Sequence, residues 1–326
     1  METHNVFDLR SMAKSLTGTS VLILQDDEEL HIDDRVADHL PSWEEHEWSR
    51  QATIRQVASH TAGIVRSDLT SPPLRAAIDD MGRDGPSHEP GTRYNYTDAS
   101  TAVLSAIVEE VSGVSPQEFI RARILEPLEM RESYLWRTAW DDPRRAYTLP
   151  AYTGSPGDWS RAWTPTQEYQ TAWFTGASRF YTTSNDFMRF KAMLLNNGEL
   201  NGVRILSPES VELATQVAHS ADVFTDDEKS QMTRFYGLQW YVESDEWLDP
   251  SSTAEPGPGA GGCTQPCLES HDFSPSYFSH GGALGTYAWA DPDNDLIVTF
   301  FTQSQRHDQR YPFVDLLYDA ILRGAG

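Results

Sequence analysis

Lysine is scarce in this chain of 326 residues: it occurs only at positions 14, 191 and 229, and arginine supplies the rest of the positive charge. Against 25 Lys and Arg stand 49 Asp and Glu, which gives a formal net charge of −24. Because nucleic acids and anionic membranes bind through basic patches, this charge argues against both as partners. Abundant carboxylates with few lysines also suit a protein that stays soluble in high salt. A halophilic protein is therefore one hypothesis, and a GC-rich genome with the same arginine bias is the other.

Cysteine and long apolar runs are also scarce. The two cysteines, Cys263 and Cys267, are too few for the disulfide framework of a small secreted protein. With His271 they have a metal-like spacing, but three ligands fall short of a closed zinc site. A local disulfide or two free thiols is favoured instead, and no metal is predicted. No apolar run approaches the roughly 20 residues that span a bilayer, and residues 1–10 lack the features of a signal peptide, so we expect a cytoplasmic protein.

Apolar periodicity and turn signals divide the chain into a helix-rich first part and a strand-rich last part. Helices are predicted at 11–24, 53–60, 101–111, 116–124, 185–196, 207–216 and 313–323. Strands are predicted at 236–242, 277–280, 285–290 and 296–302, with a hairpin turn at 291–294. This order favours an α+β fold, in which an antiparallel sheet flanked by helices lies beside a mainly helical lobe. We predict that 1–25 and 232–326 form the sheet lobe, 26–231 the helical lobe and 243–276 a flexible surface insertion.

Ser11 and Lys14 are three residues apart in the first predicted helix. Their side chains share one face of a helix, so the Lys14 amine can take the proton of the Ser11 hydroxyl. Burial would lower the pKa of Lys14 toward the range of a general base. The spacing also arises by chance, and a lysine whose stem is buried while its amine reaches water explains Lys14 about equally well.

Two later stretches add to the Ser11 and Lys14 pair. The first is a Pro-Gly turn at 90–91 followed by Tyr96 and Asp98, which places a phenol and a carboxylate two residues apart. The second is His280-Gly281-Gly282, at the end of a predicted strand, where glycine lets a substrate lie close to the backbone.

Taken in order, these three stretches resemble the motifs of the serine β-lactamase, penicillin-binding protein and esterase superfamily, particularly its class C and carboxylesterase branch. Segments 60–63, 127–130, 182–186, 202–208, 236–240 and 291–302 are similar to further recurring segments, so the resemblance covers nearly the whole chain. It implies a β-lactamase/transpeptidase-like fold, no cofactor, and a small-molecule ester or amide as substrate. Carboxylesterase activity is the first choice, with β-lactamase or D-amino-acid peptidase activity as the alternative. Oligomeric state is left open.

The resemblance also implies a role for each site residue. Ser11 would be the nucleophile that forms an acyl-enzyme, and Lys14 and Tyr96 would share the acid–base work, with the identity of the base left open. The backbone N–H groups of Ser11 and Ala283 would bind the oxyanion. The residues that would line the pocket and orient these groups or the substrate are Asp98, His280, Gly281 and Gly282.

Three positions depart from the family pattern that the resemblance implies. Asp98 stands where asparagine is usual and would raise the pKa of Lys14. His280 stands where lysine is usual, which weakens recognition of a substrate carboxylate. Both changes are more typical of esterases than of efficient β-lactamases. Arg179 falls where glycine is common, so the loop around it is expected to differ.

The resemblance further implies two strands and a helix ahead of the nucleophile, whereas ten residues precede Ser11. We expect this to leave the strand at 296–302 as an exposed edge, with the chain start truncated or misassigned, or the edge covered by a partner. A non-catalytic scaffold or truncated inactive homologue is therefore an alternative. The presence of Ser11, Lys14 and Tyr96 together argues against it. His60 is expected to fix a turn rather than to act in a catalytic triad, because the sequence contains no Gly-x-Ser-x-Gly elbow.

Overall fold

Most of the described α-helices lie in the first half of the chain and most of the described strands in the second half. The structure is a computed structural model that describes residues 4–65, 69, 73–135, 143–155, 157–164, 174–219, 223, 235–242, 274–304, 316–317 and 320–321. The α-helices are α1 (Lys14–Asp26), α2 (Val36–His39), α3 (Ile54–Ala58), α4 (Leu74–Asp84), α5 (Asp98–Ser112), α6 (Pro116–Ile120), α7 (Ser184–Leu195) and α8 (Pro208–Thr215). The strands are β1 (Phe7–Asp8), β2 (Tyr134–Leu135), β3 (Ala151–Ser155), β4 (Asp158–Trp163), β5 (Phe180–Thr182), β6 (Glu199–Leu200), β7 (Val203–Arg204), β8 (Phe235–Tyr236), β9 (Tyr241–Val242), β10 (Phe278–Gly281), β11 (Tyr287–Asp291) and β12 (Leu296–Phe300). The predicted α+β class is confirmed.

Helices α1 and α5 pack against each other in the interior. Both consist largely of apolar and small residues and are buried over most of their length, as expected for helices at the centre of a core. The side chain of Thr97 caps the start of α5 by accepting a hydrogen bond from the N–H of Ala99 at 3.2 Å. Lys14 is the first residue of α1 and Asp98 is the first residue of α5. The packing of the two helices therefore brings Lys14 and Asp98 together.

A five-stranded antiparallel sheet follows in the order β12-β11-β10-β9-β8. The register places His280 of β10 opposite Ala288 of β11, and α7 packs on β11 and β12. Among the described residues, strand β12 lies at one end of this order and is half-buried throughout. The exposed edge expected at 296–302 stays a prediction. None of the helices in the described ranges combines the length and the hydropathy that a bilayer crossing requires.

The strand predicted at 236–242 is in fact a tight hairpin, so that prediction was wrong in detail. β8 and β9 pair with each other, and the N–H of Gly237 donates to the carbonyl of Trp240 at 2.8 Å. Gln239 takes a positive φ of 68°, which turns the chain where a continuous strand would have extended it. The predicted helix at 313–323 is described only at 316–317 and 320–321, which are helical. Most of the predicted insertion at 243–276 lies outside the described residues.

A three-stranded sheet with the order β1-β5-β2 leads directly into the nucleophile segment. Asp8 of β1 pairs with Tyr181 of β5, and the N–H of Leu9 donates to the carbonyl of Phe180 at 3.0 Å. The chain just before Ser11 is thereby tied to a segment some 170 positions later. The boundaries of the two predicted lobes stay a prediction.

Candidate active site

Ser11 lies on a 3-10 turn, Arg10–Ala13, that joins β1 to α1. The N–H of Met12 donates to the carbonyl of Leu9 at 3.2 Å, which closes the turn. Lys14 then begins α1. Ser11 thus belongs to the 3-10 turn and Lys14 to the buried α-helix that follows it, so the predicted Ser-x-x-Lys pair spans the junction between the two.

Lys14 is completely buried, and its Nζ donates to Oδ1 of Asp98 at 2.5 Å. The side chain of Asp98 is 58% exposed, so one member of this ion pair faces solvent while the other does not. Burial lowers the pKa of Lys14 below its usual range, and the carboxylate of Asp98 opposes that shift. A buried amine whose positive charge is stabilised mainly by one exposed carboxylate is suited to exchanging a proton.

Tyr96 joins the serine and the lysine. The Ser11 side chain lies close enough to the Tyr96 hydroxyl to affect its pKa, and Nζ of Lys14 lies 4.8 Å from the centre of the Tyr96 ring. Burial raises the pKa of Tyr96, an effect that the Ser11 hydroxyl opposes and the charge of Asp98 reinforces. In the resting site Tyr96 is therefore a neutral phenol within reach of the Ser11 proton.

His60 supports the loop that carries Tyr96. Its backbone carbonyl accepts from the N–H of Asn95 at 2.8 Å, and its Nδ1 accepts from the N–H of Thr97 at 3.4 Å. Its ring lies 4.6 Å from the ring of Tyr96. Because a backbone N–H can only donate, Nδ1 carries no proton, and burial lowers the pKa of His60 well below its usual range. These contacts match the expected structural role of His60.

His280 lies at the end of β10 and is fully buried. Its Nδ1 lies 2.8 Å from the carbonyl oxygen of Gly281, which can only accept, so Nδ1 carries the proton. Its Nε2 lies 3.2 Å from the hydroxyl of Tyr236 and accepts from it. The ring of Tyr236 in turn packs edge-to-face against Tyr96, with 6.0 Å between ring centres. His280 thus contacts Tyr236, which in turn packs against Tyr96, and its role at the pocket stays a prediction.

The turn after β10 comes close to the backbone before Ser11. The N–H of Gly282 donates to the carbonyl of Thr286 at 2.8 Å. A β-carbon on Gly282 would lie 2.2 Å from the carbonyl oxygen of Leu9, so only glycine allows this approach. Ala283 follows as an exposed residue at the tip of the turn. Its role as an oxyanion donor stays a prediction.

The site also contains residues whose role the sequence did not reveal. Tyr236 and Tyr241 enclose Tyr96, the second with its ring stacked at 6.4 Å between centres. The side chain of Gln239 donates to the carbonyl of Ala58 at 2.6 Å and lies 3.5 Å from the ring of His60. The sequence predicted one continuous strand at 236–242, so it did not indicate that these residues surround Tyr96 and His60. Gly237 was the one signal in this stretch that could have indicated a turn.

Arg179, which stands where the resemblance implies glycine, has a φ of 68°. It therefore adopts the left-handed conformation that favours glycine, while carrying a long side chain that is mostly buried. The backbone at position 179 therefore has a conformation that is typical of glycine, although the residue is arginine.

Within the described ranges, no group of three or more His, Cys, Asp or Glu side chains is arranged to hold a metal ion. Cys263, Cys267 and His271 lie outside those ranges, so their predicted state stays a prediction.

The sequence as a whole matches known proteins. Residues 1–320 match the sequence profile of the Beta-lactamase family. Protein Rv1367c of Mycobacterium tuberculosis is 27% identical over 339 residues, a match that covers 93% of this chain and 78% of that protein. Penicillin-binding protein 4 of Amycolatopsis lactamdurans is 32% identical over 225 residues, covering 66% of this chain and 57% of the relative.

The fold is shared with solved structures as well. The structure of EstCE1, described as a hydrolase with promiscuous acyltransferase activity, superposes with a TM-score of 0.71 at 18% identity. That superposition covers 96% of this chain and 84% of EstCE1. The β-lactamase/transpeptidase-like fold that the motifs implied is confirmed, and the chain belongs to the β-lactamase family.

Proposed function

We propose that the protein is a serine hydrolase that cleaves a small ester or amide through an acyl-serine intermediate, with carboxylesterase activity as the first choice. The observation that carries the proposal is the proximity of the Ser11 side chain to the Tyr96 hydroxyl, with the buried amine of Lys14 4.8 Å from the centre of the Tyr96 ring. A serine hydroxyl is a weak nucleophile until a neighbouring base removes its proton. The nearby phenol and amine support such a role for Tyr96 or Lys14.

In the proposed reaction, Oγ of Ser11 attacks the substrate carbonyl carbon while its proton passes to Tyr96 or Lys14. The tetrahedral intermediate then collapses, the bond to the leaving alcohol or amine breaks, and the leaving group takes that proton. Water attacks the acyl-serine ester, releases the carboxylic acid and restores the Ser11 hydroxyl. We assign the developing oxyanion to the backbone N–H groups of Ser11 and Ala283.

Charge at the site supports a neutral ester as the substrate. Both ring nitrogens of His280 lie within hydrogen-bond distance of protein oxygens, so the ring is already engaged inside the protein and not directed at a substrate carboxylate. The half-exposed carboxylate of Asp98 repels an anionic group. The description of EstCE1 as a hydrolase with acyltransferase activity supports acyl transfer on this fold. The alternative, β-lactamase or D-amino-acid peptidase activity, draws its support from the likeness to penicillin-binding protein 4.

The test compares wild type, Ser11→Ala and Ser160→Ala on 4-nitrophenyl butyrate at low and high salt. Ser160 is an exposed serine on β4 and serves as the matched control. We expect Ser160→Ala to retain full turnover and Ser11→Ala to lose at least about 1,000-fold. A fluorophosphonate probe, which forms a covalent bond with an activated serine, should label the wild type and Ser160→Ala but not Ser11→Ala.

Equal rates for wild type and Ser11→Ala, or no labelling of folded wild type at either salt, would contradict the proposal and favour a non-catalytic scaffold. Nitrocefin and a D-alanyl-D-alanine peptide, assayed alongside the ester, separate the two hydrolase alternatives. Faster acylation by either of these than by the ester would reassign the substrate class.

A further inference from the structure

Arg10 stands immediately before Ser11, and its backbone has a φ of 51°. Residues with a β-carbon rarely adopt this left-handed conformation because the β-carbon crowds the following carbonyl. Non-glycine residues persist there when the surrounding structure holds them. The conformation of the backbone that presents Ser11 is therefore imposed from outside Arg10.

Both oxygens of the Asp8 carboxylate contact Arg10. Oδ1 accepts a hydrogen bond from the N–H of Arg10 at 3.1 Å, and Oδ2 lies 3.1 Å from Nε of the same residue. The side chain of Asp8 is only 1% exposed, so water competes little for the carboxylate, which strengthens the charge-assisted hydrogen bond from the Arg10 N–H. The Nε contact is an ion pair by distance and lacks hydrogen-bond geometry. One buried carboxylate thus binds the backbone and the side chain of the residue that precedes the nucleophile.

Asp8 is itself anchored on both sides. It pairs with Tyr181 in the β1-β5 ladder. On its other side, the N–H of Asp8 donates to Oε1 of Gln303 at 3.2 Å, and Nε2 of Gln303 donates to the carbonyl of Asp8 at 3.1 Å. The buried amide of Gln303 takes the place of a neighbouring strand at this one residue. Asp8 is therefore fixed in position when it holds Arg10.

We propose that Asp8 is a positioning residue, whose carboxylate holds Arg10 in the left-handed turn that presents the Ser11 hydroxyl to Tyr96 and Lys14. The inference rests on the proposed function, because it concerns the rate at which Ser11 is acylated. Asp8 acts through Arg10 and not on the reacting atoms. Its effect falls on kcat and on the rate of covalent labelling, with little effect on KM.

The experiment measures Asp8→Ala in three backgrounds: wild type, Arg10→Gly and Arg10→Ala. In the wild-type background we expect kcat for 4-nitrophenyl butyrate and the fluorophosphonate labelling rate to fall roughly 10- to 100-fold, because small misplacements of a nucleophile are costly. Glycine adopts the left-handed turn without help. In the Arg10→Gly background, Asp8→Ala should therefore cost less than about 3-fold.

The Arg10→Ala background is the matched control. Alanine removes the guanidinium as glycine does but keeps the β-carbon, so Asp8→Ala should again cost roughly 10- to 100-fold there. An equal loss in all three backgrounds would overturn the inference. So would a rescue by alanine as complete as that by glycine, because the ion pair and not the turn would then be what matters.

Thermal unfolding of each variant separates misfolding from misplacement. If Asp8→Ala does not fold, Asp8→Asn is measured in the same backgrounds, where the weaker amide acceptor should cost roughly 3- to 10-fold with Arg10 or Ala and nothing with Gly. A wild type without turnover or labelling would refute the proposed function. An active wild type that keeps its full rate after Asp8→Ala would refute this inference alone.

Discussion

The ion pair between Lys14 and Asp98 makes a quantitative prediction for the pH dependence of turnover. Asp98→Asn removes the charge that opposes the lowering of the Lys14 pKa, while the amide oxygen keeps a hydrogen-bond acceptor in place. At 2.5 Å, unit charges attract by about 1.7 kcal/mol in a medium with the dielectric constant of water. Asp98 is 58% exposed while Lys14 is fully buried, so water screens this attraction from one side. Without it, the pKa of Lys14 should fall further below its usual range.

The limb of the kcat/KM profile that reports Lys14 should therefore move measurably to lower pH in Asp98→Asn. If neutral Lys14 is the base, activity rises with pH through that limb. If cationic Lys14 instead supports Tyr96 as the base, activity falls through it. The direction of the limb thus decides the question that the motif left open, while the shift tests the ion pair.

The assay is acid release from a small ester in a pH-stat, which avoids the titration of a nitrophenol product. Glu109→Gln is the matched control, because Glu109 is an exposed carboxylate further along the same helix as Asp98. It should leave the limb in place. A limb that stays within about 0.3 units in Asp98→Asn, or that moves to higher pH, would refute the reasoning.

Two further predictions concern the buried amine of Lys191 and the close backbone approach at Gly282. Lys191 is fully buried, with Nζ 3.3 Å from the carbonyl of Phe278, and burial holds its pKa well below the ordinary 10.5. The unfolded chain then binds more protons between the lowered pKa and 10.5, so stability should rise with pH across that window. In denaturant unfolding, Lys191→Met should stabilise by about 1–3 kcal/mol at pH 7 and less at pH 10, and a loss at both pH values would contradict this. Gly282→Ala should lower kcat/KM at least about 10-fold, since its β-carbon would meet the Leu9 carbonyl at 2.2 Å; an unchanged rate in esterase assays would refute that close approach.

The sequence predicts best where a pattern repeats. The helices predicted at 11–24 and 101–111 were expected because the first segment is largely apolar and the second has apolar residues at helical spacing. The structure has α-helices there, at 14–26 and 98–112. The motif residues Ser11, Lys14 and Tyr96 were expected to lie together, and the structure brings them together. The spacing of Ser11 and Lys14 was informative because a 3-10 turn leads directly from the one into the helix that begins at the other.

Contacts between distant short segments were not predictable in this way. β1 has two residues, too few to show any period, and its partner β5 lies far along the chain. The positive φ of Arg10 has no signature in its residue type, because its cause is a carboxylate and the backbone around it. The partnership of His280 with Tyr236 likewise depends on the β8-β9 hairpin, which the sequence presented as one strand.

The burial of lysine has a practical consequence for chemical labelling. Neither Lys14 nor Lys191 exposes any surface, so amine-directed reagents cannot reach either in the folded protein. Neither of the two lysines that the structure describes is therefore available for cross-linking or immobilisation of the folded protein. Coupling through amines should leave the candidate active site intact, and modification of Lys14 would report on protein that has opened.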